Sequence, residues 1–461
     1  MDSATALFSA QQAAAVLDAQ LHGDPQARFN AITVDSRSVT PGSLFVALGG
    51  ERTDGHRYVG DALAAGASAI LVASAGVSLM PRRRRVLKPY PAAAILTVED
   101  TLAALQRLAA VYRARMSNLT VIGITGSNGK TTTKELIGAV MSLYAPTFVS
   151  HGNLNSDIGL PLSVFGINDR HRYAVLEMGM NRIGEMRQLA AIARPDVALI
   201  TNIGTAHIGN IGSIEQIISE KKAICAEFGG SQRLLIWEDE PHSVALAEGV
   251  NGTVARYGPR STPGWQGHQS RGLAGSTLQW RGTTIELALP GEYSVRNALA
   301  AIHVGQLFGV PDRLIAEAIG SVRPLFGRGE IIRGSMTAIV DCYNANPESV
   351  KQALDFTMSL QTPGKRIAVL GAMKELGAYT AAAHQSVIAY ALECGLDWVL
   401  LLGQEFAPGA LATDDARLQY CRTFEELVET LLSQADPDDV VLIKGSRSLE
   451  LERLVPHITG Q

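Results

Sequence analysis

From residue 119 onward, short apolar runs alternate with longer segments whose apolar residues recur at helical spacing. The first runs of this series are 119–122, 173–179, 197–203 and 233–237. Apolar strands joined by amphipathic helices are typical of a parallel sheet that is covered on both faces. The pattern therefore predicts a mostly parallel α/β domain with right-handed connections in the middle of the chain.

The pattern stops on Pro and Gly between 323 and 329 and then begins again. Four further apolar runs follow, at 338–343, 366–370, 398–402 and 440–443. This second series predicts a doubly wound, Rossmann-like domain, and because it lacks a GxGxxG we assign it no dinucleotide.

Two other segments fill in the domain plan. Residues 277–287 predict a β-hairpin that leads into a helix at 295–308. The N-terminal part predicts a capped helix at 9–17 and strands at 44–48 and 69–72, and a connecting helix at 99–116 follows. We therefore predict three α/β domains: a small N-terminal substrate domain, a central P-loop domain with a mostly parallel sheet, and a C-terminal Rossmann-like domain, with the bounds 1–98, 99–322 and 323–461.

Composition narrows the class of protein. A chain of 461 residues is long enough for about three domains of ~150 residues. A net charge of −4 gives no cationic surplus, so we expect no nucleic-acid partner. The four cysteines form no CxxC pair, which suits the reducing cytoplasm. We see no secretory signal, and Gly and Ser interrupt the uncharged segment 62–81, so we expect no membrane insertion.

The strongest chemical signal lies between the first central strand and its helix. Glycines in the stretch Gly126-Ser127-Asn128-Gly129-Lys130-Thr131-Thr132 permit the turn that presents amide groups to phosphate at a helix N-terminus. Lys130 would reach the β- and γ-phosphates of ATP, and the Thr131 hydroxyl would bind Mg²⁺. Ile124 stands where a strict Walker A motif has its first glycine, and the alternative is an ordinary glycine-rich turn.

Polar residues follow the ends of other strands, where α/β sheets bind ligands. Glu177 is a plausible Mg²⁺ ligand at the end of one strand; His207 follows the next, and Lys221 lies on the helix after it. Taken alone, each of these residues would have an ordinary structural role about as often as a functional one. In the C-terminal part, two further strands end in loops that we expect to face the nucleotide domain across a cleft, with a surface loop as the alternative: Asp341 with Tyr343-Asn344-Ala345-Asn346-Pro347, and Lys444-Gly445-Ser446-Arg447.

Two polar segments of the N-terminal part leave alternatives open. Asp35, Ser36 and Arg37 could hydrogen-bond a polar ligand such as a uridine or a sugar, or could form a turn bridged by its own side chains. The Arg82–Arg85 run predicts a solvated loop tip, with anion capture as the alternative.

Together these residues resemble a known family, the Mur ligases, which make amide bonds in bacterial cell-wall precursors. The resemblance rests on the motif 126–132, Glu177-Met178-Gly179, His207 and Lys221, and covers essentially the whole chain. The stretches 152–159, 343–347 and 444–447 are similar to the members that add D-alanyl-D-alanine. The Asp-Asn-Pro-Arg motif of the diaminopimelate-adding members is absent.

The resemblance implies an ATP-dependent ligase that acts through an acyl phosphate and a tetrahedral intermediate. The implied substrates are UDP-N-acetylmuramoyl-tripeptide (UDP-MurNAc-tripeptide) and D-alanyl-D-alanine, which would give the pentapeptide precursor of peptidoglycan. It also implies a cytoplasmic protein, and we expect a monomer. Two Mg²⁺ ions are implied: Thr131 and Glu177 would hold the first, and His207 and Lys221 would bind the second. The resemblance also implies that Lys221 is carbamylated.

The remaining implied roles concern substrate contacts. Asn153 and Asn297 would contact adenine, Arg328 phosphate and Asp341 ribose; Asp35, Ser36 and Arg37 would face the UDP-sugar, and Asn344 and Asn346 the dipeptide. Ser294 and Ala372 depart from the family pattern, which has Asn and Asp there. Ser294 can still donate and accept a hydrogen bond. A folate polyglutamylating ligase, and a non-catalytic protein that uses ATP only as a switch, are the alternatives.

Overall fold

The computed structural model describes residues 6–50, 53–79 and 87–460, which form three α/β units, each built around its own sheet. This confirms the predicted three-domain α/β class. The domain bounds at 98/99 and 322/323 stay predictions, and the Arg82–Arg85 run lies outside the described residues.

The N-terminal unit has a five-stranded sheet in the order β2-β7-β6-β5-β4, with a separate β1-β3 pair. Only β2 is antiparallel to its neighbour in the larger sheet. Ser9 and Gln12 form the capping box of the first helix, as the pattern predicts. The strands are β1 (Phe8–Ser9), β2 (Gln20–Gly23), β3 (Arg28–Phe29), β4 (Ala31–Thr33), β5 (Ser43–Val46), β6 (Ala69–Ala73) and β7 (Ala94–Val98), and the α-helices are Ala10–Leu17 and Val59–Ala64.

The central sheet is parallel throughout, in the order β13-β12-β11-β8-β10-β9. Its strands are β8 (Thr120–Thr125), β9 (Thr147–Val149), β10 (Tyr173–Glu177), β11 (Val197–Ile200), β12 (Arg233–Trp237) and β13 (Thr253–Tyr257). Alternate residues of β8 enter two separate cores, Val121 on one face and Ile122 on the other. Because helices cover both faces, the strands read as continuous apolar runs.

The helices of the central unit are Thr101–Ala114, Lys130–Tyr144, Gly159–Val164, Glu185–Ala193, Ile208–Ile211, Ile214–Lys222, Ser243–Ala247, Glu292–Leu307 and Asp312–Ser321. Helix Ile214–Lys222 is followed directly by a 3-10 turn at Ala223–Cys225. The predicted hairpin is present, and the sequence pattern missed its third strand because those residues are mostly polar and exposed. The strands are β14 (Trp265–Ser270), β15 (Ser276–Trp280) and β16 (Thr283–Leu287).

The C-terminal sheet has the order β17-β18-β22-β19-β20-β21, antiparallel only between β17 and β18. The four predicted strands are present, and the two edge strands were missed because their residues are partly polar and half-buried. The strands are β17 (Glu330–Arg333), β18 (Thr337–Asp341), β19 (Arg366–Gly371), β20 (Trp398–Leu402), β21 (Leu418–Cys421) and β22 (Val440–Lys444). The helices are Pro347–Ser359, Thr380–Glu393, Ala407–Leu411, Phe424–Gln434 and Val455–Thr459.

None of the helices in the described ranges has the length and apolar character needed to span a bilayer. The carboxyl ends of β8, β10, β11 and β12 face those of β18 and β22 across a cleft. Residues at these strand ends line the candidate active site.

Candidate active site

A cavity of about 630 Å³ lies between the central and C-terminal units. The central unit contributes the glycine-rich turn after β8 and the residues that follow β10, β11 and β12. The C-terminal unit contributes residues that follow β18 and the end of β22. The two series of strand ends therefore meet around one space, as the sequence predicts.

Neighbouring groups lock the backbone of the glycine-rich turn. Gly126 has φ +150°, and a Cβ there would lie 1.8 Å from Thr201 Oγ1. Asn202 Oδ1 accepts a hydrogen bond from the Asn128 amide at 2.9 Å, and Asn202 Nδ2 donates to the Asn128 carbonyl at 3.0 Å. The amide of Ser127 donates to Asn202 O. The amides left for an anion are therefore those from Gly129 into the first turn of helix Lys130–Tyr144, where helix N–H groups lack partners in the helix.

Lys130 is folded back onto this turn. Its Nζ donates to Gly126 O at 2.8 Å and to Ser127 O at 3.4 Å. Burial lowers the pKa of Lys130, the nearby Glu177 carboxylate opposes that shift, and Arg328 adds to it. A cation held only by carbonyl oxygens can exchange those partners for phosphate oxygens.

Glu177 ends β10 and is only 2% exposed. Its Oε1 accepts a hydrogen bond from Asn155 Nδ2 at 2.7 Å, whereas its buried Oε2 has no hydrogen-bond partner in the described ranges. Thr131, which is 3% exposed, lines the same cavity. A buried carboxylate oxygen without a donor is costly unless a cation binds it, so Thr131 and Glu177 fit one Mg²⁺ shared with phosphate oxygens.

Lys221 lies in the last turn of helix Ile214–Lys222 and is 2% exposed. In the part of the chain that the structure describes, its ammonium makes no hydrogen bond or ion pair. Its pKa is lowered well below the ordinary value, first by burial and then by the charge of Lys130, against the opposing charge of Glu220. The next residue, Lys222, donates to Ala245 O and Glu248 O instead. Lys221 is thus the lysine that faces inward.

The residues around this point do not by themselves form a second cation site. Within the described ranges, no three His, Cys, Asp or Glu side chains come together as a metal-binding group. Lys130 and Lys221 would repel a second divalent ion if both were ammonium groups. A second ion therefore needs an additional negative charge in the site.

The C-terminal side of the cavity is built around Lys444, which is 2% exposed. Its Nζ donates to Asp341 Oδ2 at 2.7 Å and to Asn344 O at 3.3 Å, so the ammonium charge of Lys444 is already paired. The Arg328 guanidinium lies 4.0 Å from the centre of the Tyr343 ring, and both residues line the cavity.

Side-chain hydrogen bonds hold the two units together across the cavity. Asn128 and Asn346 exchange a pair of amide hydrogen bonds, with Asn346 Nδ2 to Asn128 Oδ1 at 2.7 Å and the reverse bond at 3.2 Å. Glu348 accepts from the Thr205 amide at 3.1 Å and from Thr205 Oγ1 at 3.0 Å. The two units are therefore docked around the cavity.

Comparison with known proteins decides the family. Models of the Mur ligase family match three segments: the family's catalytic domain at 28–113, the Mur ligase middle domain at 124–305 and the glutamate ligase domain at 327–447. UDP-N-acetylmuramoyl-tripeptide--D-alanyl-D-alanine ligase from Treponema pallidum is 39% identical over 442 residues, which is 93% of each chain. Its counterpart from Bacillus subtilis is 34% identical over 94% of each chain.

This chain belongs to the Mur ligase family. Among solved structures, this Mur ligase is similar to MurF from Acinetobacter baumannii, with 30% identity and a TM-score of 0.88 over 98% of this chain and 99% of that one. MurF from Thermotoga maritima in complex with ADP has 26% identity and a TM-score of 0.77 over 93% and 97%. A folylpolyglutamate synthase from Mycobacterium tuberculosis, with 18% identity and a TM-score of 0.59, shares the fold alone.

Most of the predicted site residues of this Mur ligase line the cavity: Ser127, Asn128, Gly129, Lys130, Thr131, Thr132, Asn153, Glu177, His207, Asn297, Arg328, Asp341, Asn344 and Asn346. Gly126 and Lys221 lie behind this lining, and Asp35, Ser36 and Arg37 lie in the N-terminal unit, away from it. The Arg37 side chain hydrogen-bonds Asp35 and lowers the pKa of that carboxyl to about 2.

Two polar side chains of the predicted site, those of Ser294 and Asn346, already make hydrogen bonds within the protein. Ser294 is buried and its Oγ donates to Pro290 O at 2.6 Å, so its hydroxyl proton is already used by the segment just before its helix. Asn346 caps helix Pro347–Ser359 in a capping box with Ser349 and also pairs with Asn128, so its Oδ1 accepts two hydrogen bonds and its Nδ2 donates one while the units are docked.

Sequence reasoning missed several residues that shape the site. Asn155, which orients Glu177, lies in a polar stretch that the family resemblance includes, so it could have been singled out. Glu348 and Glu375 could not have been singled out, because Thr205 and His207, the residues that they contact, are distant from them in the sequence.

We expect Glu348→Ala to loosen the docking of the two units, because it removes both hydrogen bonds to Thr205. Small-angle scattering of the ligand-free protein should show a larger radius of gyration than for the wild type. Glu425→Ala, an exposed position in the first turn of helix Phe424–Gln434, is the control and should leave the profile unchanged. Identical profiles for all three proteins would contradict the docking role of Glu348.

Proposed function

We propose that this Mur ligase adds D-alanyl-D-alanine to UDP-MurNAc-tripeptide with ATP, forming UDP-MurNAc-pentapeptide for peptidoglycan synthesis. The observation that carries the proposal is the single cavity that joins the phosphate-binding turn to the loop after β18. Full-length similarity to relatives that are named for this reaction supports it. The folylpolyglutamate synthase alternative has only a shared fold in its favour.

We place the triphosphate of ATP on the turn formed by residues 126–132. The free amides of the first helical turn and Lys130 Nζ would contact its phosphates. Arg328 would add a second cation, and Asn153, Asn297 and Asp341 would contact the nucleoside. All four of these residues line the cavity with the turn.

Thr131 and Glu177 would hold Mg²⁺ with the phosphates, and the ion supplies charge neutralisation during phosphoryl transfer. Oε2 of Glu177, which lacks a hydrogen-bond partner among the residues that the structure describes, supports this placement. The orientation of that carboxylate is set by Asn155, so ligand geometry is fixed before the ion arrives.

We further propose that Lys221 is carbamylated. Burial and the neighbouring Lys130 charge favour its neutral amine, whose nitrogen lone pair can attack CO₂ and lose a proton to give a carbamate. This change replaces a cation with an anion. The carbamate and His207 would then provide ligands for a second Mg²⁺, which the unmodified residues do not support.

The chemistry would proceed in two steps. An oxygen of the tripeptide carboxylate attacks the γ-phosphorus of ATP and ADP leaves, which gives an acyl phosphate. The amine of D-alanyl-D-alanine then attacks the carbonyl carbon, a tetrahedral intermediate forms, and the amide is completed as the amine loses its proton and phosphate departs. Lys130 would stabilise charge on the transferring phosphoryl group, and the docked units would exclude water from the acyl phosphate.

The substrates would approach from two sides. Asp35, Ser36 and Arg37 would contact the UDP-sugar, which leaves the peptide to extend into the cavity. Asn344, which is exposed, would face the dipeptide, and Asn346 would do so through the second hydrogen of its Nδ2. One chain supplies all of these groups, which supports a monomer, and the free cysteines and negative net charge support a cytoplasmic protein without a nucleic-acid partner.

The purified protein should release phosphate when it is given ATP, Mg²⁺, UDP-MurNAc-tripeptide and D-alanyl-D-alanine, and mass spectrometry should detect the pentapeptide product. Omitting the dipeptide should abolish product formation. Glutamate with a folate substrate should give no ligation. Phosphate release that is independent of the dipeptide, with no new amide bond, would favour the nucleotide-switch alternative.

We expect Lys130→Ala to lower kcat by about 10²–10³-fold, which is the scale for removing one preorganised charge-stabilising group. The far-ultraviolet circular dichroism spectrum should stay unchanged. The matched control is Lys88→Ala at an exposed position of the N-terminal unit, which should retain full turnover. Wild-type turnover in Lys130→Ala would refute the phosphate role of this lysine.

We expect Lys221→Ala to lose most activity and to regain part of it in acetate or propionate, because a small carboxylate can occupy the space of the carbamate. Lys222→Ala is the matched control: its ammonium faces backbone carbonyls elsewhere, so its activity should not respond to the added acid. A failure of every short carboxylate to restore activity would argue against carbamylation.

A further inference from the structure

His207, which precedes helix Ile208–Ile211, receives a contact from the other unit. Its Nδ1 lies 2.6 Å from Oε2 of Glu375, a residue of the C-terminal unit, and 3.1 Å from Oδ1 of Asn181. The imidazole is 23% exposed and lines the cavity. Two acceptor groups thus converge on one nitrogen of the ring.

The surrounding hydrogen bonds determine which nitrogen carries the proton. Asn210 Nδ2 donates to Asn181 Oδ1 at 2.6 Å, so Asn181 presents its oxygen to His207. A carboxylate oxygen is also an acceptor, and both contacts are satisfied only if Nδ1 bears hydrogen. In a neutral ring the lone pair is then on Nε2, which has no hydrogen-bond partner within the described ranges.

The backbone around Glu375 is also fixed by docking. Glu375 follows β19 and has a positive φ of 63°. Its carbonyl oxygen accepts a hydrogen bond from the Gly209 amide at 2.9 Å. A Cβ on Gly209 would lie 2.4 Å from the Gly377 nitrogen, so the two backbones touch. The carboxylate can reach His207 only when the C-terminal unit is in this place.

We propose that Glu375 is a positioning residue for a cation ligand: its carboxylate holds the Nδ1–H of His207 and leaves Nε2 free to bind a divalent ion. Histidine ligands of metals commonly donate their other ring N–H to a carboxylate, which fixes the ring and its tautomer. Here the carboxylate comes from a different unit, so docking of the C-terminal unit completes the orientation of the ligand. The inference rests on the second-ion part of the proposed function and adds a residue to it.

The test counts bound Mn²⁺ ions by electron paramagnetic resonance in the presence of a non-hydrolysable ATP analogue. The wild type should bind two ions, and Glu375→Ala should bind the second about 10–100-fold more weakly, the usual cost of losing such a partner. Glu375→Gln should recover part of this affinity, since its amide oxygen can still accept from Nδ1–H. Both substitutions are at a side chain that is 42% exposed, so folding should be retained.

Tyr379→Phe is the matched control. It removes another hydrogen bond between the same two surfaces, from Tyr379 OH to Gly212 O, without touching His207. It should leave the affinity for the second Mn²⁺ unchanged. An equal loss in Tyr379→Phe and Glu375→Ala would mean that docking alone matters, and would overturn the positioning role of Glu375.

A metal-free measurement reads the tautomer directly. The ¹⁵N resonances of His207, assigned by comparison with His207→Gln, should show a protonated Nδ1 and an unprotonated Nε2, and this preference should weaken in Glu375→Ala. A wild-type ring protonated on Nε2, or unaltered in Glu375→Ala, would overturn the inference. A wild type that ligates but binds one Mn²⁺ would also overturn it while leaving the proposed ligase reaction intact.

Discussion

Asn128 ties the two halves of the site together. Its backbone is held by Thr201 and Asn202 at the end of β11, and its side chain exchanges two hydrogen bonds with Asn346 of the C-terminal unit. The same Asn346 caps the helix that follows the β18 loop. A shift of either unit would therefore move both the phosphate-binding turn and the start of that helix. The central and C-terminal sheets thus form a single site together.

The charge arrangement beside the phosphate-binding turn is built within the central unit. Lys130 is close enough to lower the pKa of Lys221, and within the described ranges Glu177 Oε2 is a buried carboxylate oxygen of the cavity without a donor. Two lysine side chains thus lie near the Glu177 carboxylate at this end of the cavity. Phosphate groups and a carbamate are the kinds of ligand that balance such a site, and each would make the next cation easier to bind.

Much of this could be predicted from the sequence. Buried parallel strands such as β10 and β22 show as apolar runs, and the polar residues that end them, Glu177 and Lys444, could be assigned to the carboxyl edges of their sheets by topology alone. Edge strands such as β14 and β21 were missed because a polar, half-exposed strand has no distinctive period. The partners of His207 and Thr205 could not be predicted, since Glu375 and Glu348 reach them through docking of units that are distant in sequence.

The anchoring of the turn by Asn202 has a consequence for the kinetics of nucleotide capture. Because the backbone from Gly126 to Asn128 is already immobilised, ATP does not have to order a loose loop, and little conformational entropy is lost on binding. The main rearrangement left is that Lys130 releases Gly126 O and Ser127 O and turns outward. Side-chain rotation occurs in nanoseconds where it is unhindered. The rate of ATP binding should therefore be governed by diffusion of ATP into the cleft rather than by rearrangement of the phosphate-binding turn.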